Sequence, residues 1–65
     1  MYEMEDVTIV VTSEKAVLVD YAGEEFWIAK SQIVSPDTED LARGRVVSSM
    51  TVPRWIAEQA GVADD

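Results

Sequence analysis

Apolar and polar positions alternate along most of this chain with the period of two that marks half-buried strands. Val7–Thr12, VTIVVT, is dense in β-branched residues, which favour extended backbone. Alternation puts Val7, Ile9 and Val11 on one face and Thr8, Val10 and Thr12 on the other. The polar Ser13-Glu14-Lys15 is short enough for a hairpin connection. Ala16–Tyr21, AVLVDY, follows as a second strand, with Val17, Val19 and Tyr21 on one side. Ala22-Gly23 supplies a tight turn, because Gly accepts the positive φ that short hairpins need. The third strand is then Glu24–Ala29, with Phe26 and Ile28 on one face and Glu25 and Trp27 on the other.

The second half of the chain is less regular. Lys30–Ile33 reads as a turn or single 3₁₀ turn that returns Ile33 and Val34 to the core. Ser35–Gly44 is open between two readings. Ser35 could cap a short helix with Pro36 at its first position and Asp37, Glu39 and Asp40 in its first turn, where the dipole favours anions. The same residues could equally form an acidic loop. Arg45–Val52 is a fourth strand, with Val46, Met50 and Val52 on one face and Val47 on the other. Pro53–Ala60 is a C-terminal helix ending before Gly61, with Trp55, Ile56 and Ala60 on its apolar side. Met1–Asp6 and Val62–Asp65 read as frayed ends.

These elements predict a single α+β domain over residues 1–65, a small bent antiparallel sheet of about four strands with a C-terminal helix. The expected form is an SH3-like or OB-like partial barrel. A flat sheet with the helix across one face is the alternative. A chain of 65 residues buries only about 60% of its unfolded surface. With no Cys and no His, neither a disulfide nor a zinc site is expected. The core must therefore supply the stability, alone or with a homodimer partner.

Charge narrows the function. Thirteen acids against five bases give a net charge of −8, which disfavours direct nucleic-acid binding and anionic membranes. It favours a basic protein partner. The acidic start, MYEMED, is unlike a signal peptide, and no apolar run approaches membrane-spanning length, so a cytoplasmic protein is expected. No phosphate loop, Ser/His/Asp set or Cys nucleophile occurs, so an enzyme is not expected, nor is a cofactor. Asp20, Glu24 and Glu25 lie together around the turn, but their spacing matches no calcium loop, and they read first as solvated carboxylates.

Two features remain as candidate partner contacts. Glu24, Glu25, Asp37, Glu39 and Asp40 can form part of an anionic array that imitates DNA phosphates, or simply keep the chain soluble. Trp27 either packs beneath the helix or the Ser35–Gly44 segment, or stands exposed as an interface anchor.

Lys15–Ile33, KAVLVDYAGEEFWIAKSQI, and Thr51–Gln59, TVPRWIAEQ, together resemble a family of small phage and prophage proteins. Their pattern is K-A-[IVL]-L-V, a Gly turn, E-x-W-I-P-K-S-Q-I and a later V-P-x-W-[LI]-A-E block. Ala29 stands here where that pattern has Pro. The resemblance implies a phage or prophage origin and a shared fold. Small, acidic and cysteine-free is also similar in type to anti-CRISPR proteins. The leading expectation is thus an inhibitor that offers carboxylates to the basic groove of a host nucleic-acid-binding defence complex, such as a CRISPR effector. The alternative is an accessory protein-binding module in phage replication or recombination.

Overall fold

The computed structural model describes residues 1–35 and 37–63, and of Asp40 only the backbone. Four strands, β1 (Tyr2–Thr12), β2 (Ala16–Tyr21), β3 (Glu24–Ala29) and β4 (Val46–Val52), form one antiparallel sheet in the order β3-β2-β1-β4. Among the described residues, one α-helix, α1 (Arg54–Ala60), follows β4. The protein is a small α+β fold. The first three strands are the expected meander, and β4 adds to the far side of β1.

The long strand β1 is the hinge of the architecture. Its first half, Tyr2–Thr8, pairs with β4, and its second half, Thr8–Thr12, pairs with β2. The two ladders overlap only at Thr8, so β1 passes from one part of the sheet to the other. Two irregularities flank that point. Asp6 adopts φ 57°, and a bulge between Ile9 and Val11 leaves Val10 without an opposite residue on β2. Bulges bend a strand and raise its local twist, which is how one strand serves two layers. The bend also brings the chain leaving β3 round to β4, where Ser35 bridges Thr51 and the Val34 amide donates to the Thr51 carbonyl at 2.9 Å.

The core lies inside the bend. Met4, Ile9, Ile28, Met50, Val7, Val17, Val19 and Val52 are its fully buried large side chains. Leu41, Val47 and Ile56 join them, and Tyr2, Tyr21, Phe26 and Ile33 pack around the margin.

Several sequence expectations need correction. The stretch before Val7 is not frayed: Tyr2–Asp6 belongs to β1, because Tyr2 and Met4 alternate with Glu3 and Glu5 and Met4 is wholly buried. The Tyr2 hydroxyl donates to the Val62 carbonyl at 3.1 Å, which ties down Val62 as well. Val11 does not share a buried face with Val7 and Ile9, since the bulge turns it outward. On β4 the inward residues are Val47, Met50 and Val52, while Val46 is exposed. That change of parity sits opposite the one on β1, where Met4 faces Met50 and Val7 faces Val47. Val34 is exposed, although its neighbour Ile33 packs on the core.

Among the described residues, the Ser35–Gly44 segment forms no capped α-helix. Ser35 is extended in its bridge to β4, and only one 3₁₀ turn, Thr38–Asp40, follows, with Leu41 anchoring it in the core. Pro36 lies outside the described residues, as do Asp64 and Asp65. Lys30–Gln32 is the expected 3₁₀ turn. At α1, Pro53 occupies the N-cap rather than the first helical position. Gly61, at φ 79°, donates to the Glu58 carbonyl, and Val62 donates to that of Ala57, closing the helix with a left-handed cap.

Candidate functional site

β3 is the edge strand on which the predicted contacts concentrate. The two-residue Ala22-Gly23 loop, with φ 55° and 81°, sets the register that pairs Tyr21 with Glu24, Asp20 with Glu25 and Leu18 with Trp27. Directly opposite residues share a face of the sheet. Val17, Val19, Phe26 and Ile28 therefore face inward, while Leu18, Asp20, Glu25 and Trp27 face out. Trp27 is 55% exposed and is not packed beneath the helix or the loop.

Trp55 behaves the same way. It is 51% exposed, so it does not belong to the buried side of α1, which consists of Ile56 and Ala57. The reason is helical geometry: adjacent residues diverge by about 100°, and with Ile56 aimed into the core Trp55 swings toward β3. Trp27 and Trp55 both line a cleft of about 250 Å³ between β3 and α1, together with Phe26, Ala29, Gln59 and Ala60. Apolar walls with two amide side chains, Gln32 and Gln59, suit an apolar or aromatic side chain of a partner. Trp55 was not anticipated as a site residue. Its position one residue before a buried Ile is the only sequence sign of it.

The acids divide into two groups. Glu24 and Glu25 sit at the mouth of the β2–β3 turn, with Asp20 opposite Glu25. Asp37 and Glu39 lie in the loop leading into β4, separated from β3 in sheet order by β2, β1 and β4. Both are exposed. Asp40 is in the same 3₁₀ turn, and its side chain lies outside the described residues. The five predicted acids thus do not form one patch by strand pairing. The fold adds Glu3 and Glu5, which alternate with buried residues on β1 and are exposed.

Little of the acidic charge on the described residues is neutralised internally. Among the described residues, the ion pair is Arg54 with Glu58 at 3.1 Å, one turn apart on α1. Glu3 accepts a hydrogen bond from the Ser49 hydroxyl at 2.6 Å. The side chains of Glu24, Glu25 and Asp20 have no hydrogen-bond or ion-pair partner among the described residues. Like charges directly opposite on a sheet are destabilising, so the Asp20–Glu25 pair is a local cost that the fold itself does not relieve. Among the described residues, no helix is long and apolar enough to cross a membrane. Comparison with family models, curated proteins and solved structures finds no match for this chain.

Proposed function

We propose that this chain is a non-enzymatic binding protein of phage or mobile-element origin, acting in the host cytoplasm on a basic protein surface. Its acids occupy a Lys- and Arg-lined groove that otherwise holds nucleic acid, and so inhibit a host defence complex. A CRISPR effector is the concrete target class. The observation that supports this most directly is the unrelieved pairing of Asp20 with Glu25 beside Glu24, at the exposed end of a hairpin. A cationic partner relieves that repulsion on binding, which couples complex formation to charge neutralisation. Glu24 and Glu25 form one contact group, with Trp27 beside them. Asp37, Glu39 and Asp40 form a second.

The test is capture of the partner from host lysate on tagged protein, with and without excess duplex DNA. A captured nucleic-acid-binding complex that DNA displaces supports the decoy reading. Replacing Asp37, Glu39 and Asp40 together with Lys, or Glu24 and Glu25 together with Lys, should abolish inhibition with the fold retained. Inhibition that survives both sets refutes the proposed location.

The exposed Trp27 and its cleft favour a second reading, an accessory module that binds a phage protein in replication or recombination. A partner that DNA does not displace, and whose binding is insensitive to salt but lost in Trp27→Ala, selects that reading instead.

A further inference from the structure

The free edge of β3 has a feature that neither reading uses. The Lys30 amide donates to the Lys15 carbonyl at 2.8 Å, which makes Lys15 and Lys30 a hydrogen-bonded pair at the end of the β2–β3 ladder. In an antiparallel ladder, hydrogen-bonded and non-hydrogen-bonded pairs alternate. Counting back along the register, Ile28, Phe26 and Glu24 turn their amides and carbonyls toward β2. Glu25, Trp27 and Ala29 turn theirs away, to the open edge. Among the described residues, the amides of Glu25, Trp27 and Ala29 and the carbonyls of Glu25 and Trp27 have no partner, while the Ala29 carbonyl, at the N-cap, begins the 3₁₀ turn Lys30–Gln32. The opposite edge of the sheet is not open in this way, because Val34 and Ser35 pair there with Thr51. Edges of soluble proteins are normally blunted by Pro, bulges or a covering segment. β3 has no Pro, its middle residue is a half-exposed Trp, and α1 flanks it across the cleft described above without a backbone hydrogen bond to it among the described residues.

We propose that a second copy of this chain covers this edge, β3 against β3 in antiparallel order about a two-fold axis at Trp27. A two-fold axis there sets Trp27 opposite Trp27 and Glu25 opposite Ala29. These are the residues whose backbone groups point outward on both copies, so each outward amide meets an outward carbonyl and the ladder continues as hydrogen-bonded pairs, the Ala29 carbonyl being shared with the 3₁₀ turn that it begins. A register shifted by one residue would set outward groups against inward ones. The same axis places Phe26 opposite Ile28, and Glu24 opposite Lys30, an acid and a base three residues either side of Trp27. Strand edge, aromatic centre and terminal charges are therefore all self-complementary in one register, as an isologous interface requires. The partner is specified by this chain alone, and the proposal stands independently of whether the acidic surface has the target suggested above.

Sedimentation equilibrium of the full chain across micromolar to millimolar concentration tests this. The expected mass rises from 7.2 kDa toward twice that value. Ala29→Pro should shift the dimer dissociation constant upward by about tenfold or more, because it deletes an outward amide. The fold tolerates that substitution, since Ala29 already has φ −63°. Glu24→Lys alone should weaken the dimer by roughly fivefold, as should Lys30→Glu. The double exchange of Glu24→Lys with Lys30→Glu should restore it, which only the antiparallel register about Trp27 requires. A chain that stays monomeric throughout overturns the proposal. So does a dimer that Ala29→Pro leaves intact, or one in which the double exchange is no better than the singles. Circular dichroism of each variant verifies folding, and dimerisation is read without any lysate partner.

Discussion

Reversing one charge at Glu25 should stabilise the fold while damaging function. Glu25 lies directly opposite Asp20 on the outward face of the β2–β3 pair, and neither forms an ion pair among the described residues. Side chains so placed have Cβ atoms about 5 Å apart. Two unit charges at about 5 Å in water repel by roughly 0.8 kcal/mol. At physiological ionic strength the Debye length of about 8 Å reduces this to roughly 0.45 kcal/mol. Glu25→Lys replaces that repulsion with an attraction of similar size, a swing of about 0.9 kcal/mol toward the folded state. For a domain this small, that raises Tm by about 4–7 °C. At about 10 mM salt screening nearly vanishes and the swing grows to about 1.4 kcal/mol. Thermal and urea unfolding of the two proteins at both ionic strengths measures it. The same variant should lose capture of the basic partner. A variant that is less stable than the parent, or whose gain does not shrink as salt rises, refutes the electrostatic account of this pair. A gain in stability with capture undiminished refutes its functional role.

Other outcomes follow from the geometry. Ala22 holds φ 55° in the β2–β3 turn, a conformation that Asn accepts more readily, so Ala22→Asn should raise stability by about 0.5–1 kcal/mol in urea unfolding. Ile28, only 1% exposed on the inward face of β3, should cost about 2–5 kcal/mol as Ile28→Ala, enough to unfold much of so small a domain at 37 °C by circular dichroism. Gly61→Ala should cost about 1 kcal/mol although open space surrounds the position, because only its φ of 79° resists a Cβ.

Local chemistry made much of the fold legible in the sequence. β-Branched runs specify β2 and the second half of β1, and the alternation of Phe26 and Ile28 with polar or aromatic neighbours after the Gly turn specifies β3. Gly23 places the hairpin turn, and the Pro53…Gly61 frame brackets the helix. Each of these depends on residues within one strand, one turn or one helix, so it can be read without knowing what lies across the sheet. The exposure of Glu24 and Glu25 was legible for the same reason, as charged residues beside a tight turn.

What the chain order leaves open depends on pairing between distant residues. Tyr2–Asp6 is a strand because β4 is there to receive it and Met4 meets Met50 across the ladder. The inward face of β4 changes parity because its partner does so at Asp6, and Val11 turns outward because a bulge bends β1 between its two partners. Trp27 and Trp55 look like core by composition. They become two walls of one cleft only when α1 is set beside β3, and the open edge of β3 exists only because β4 joined the sheet on the far side of β1. Residue type governs which backbone a segment prefers. Burial is a property of the assembled sheet, since a side chain is inside only when some distant segment covers it.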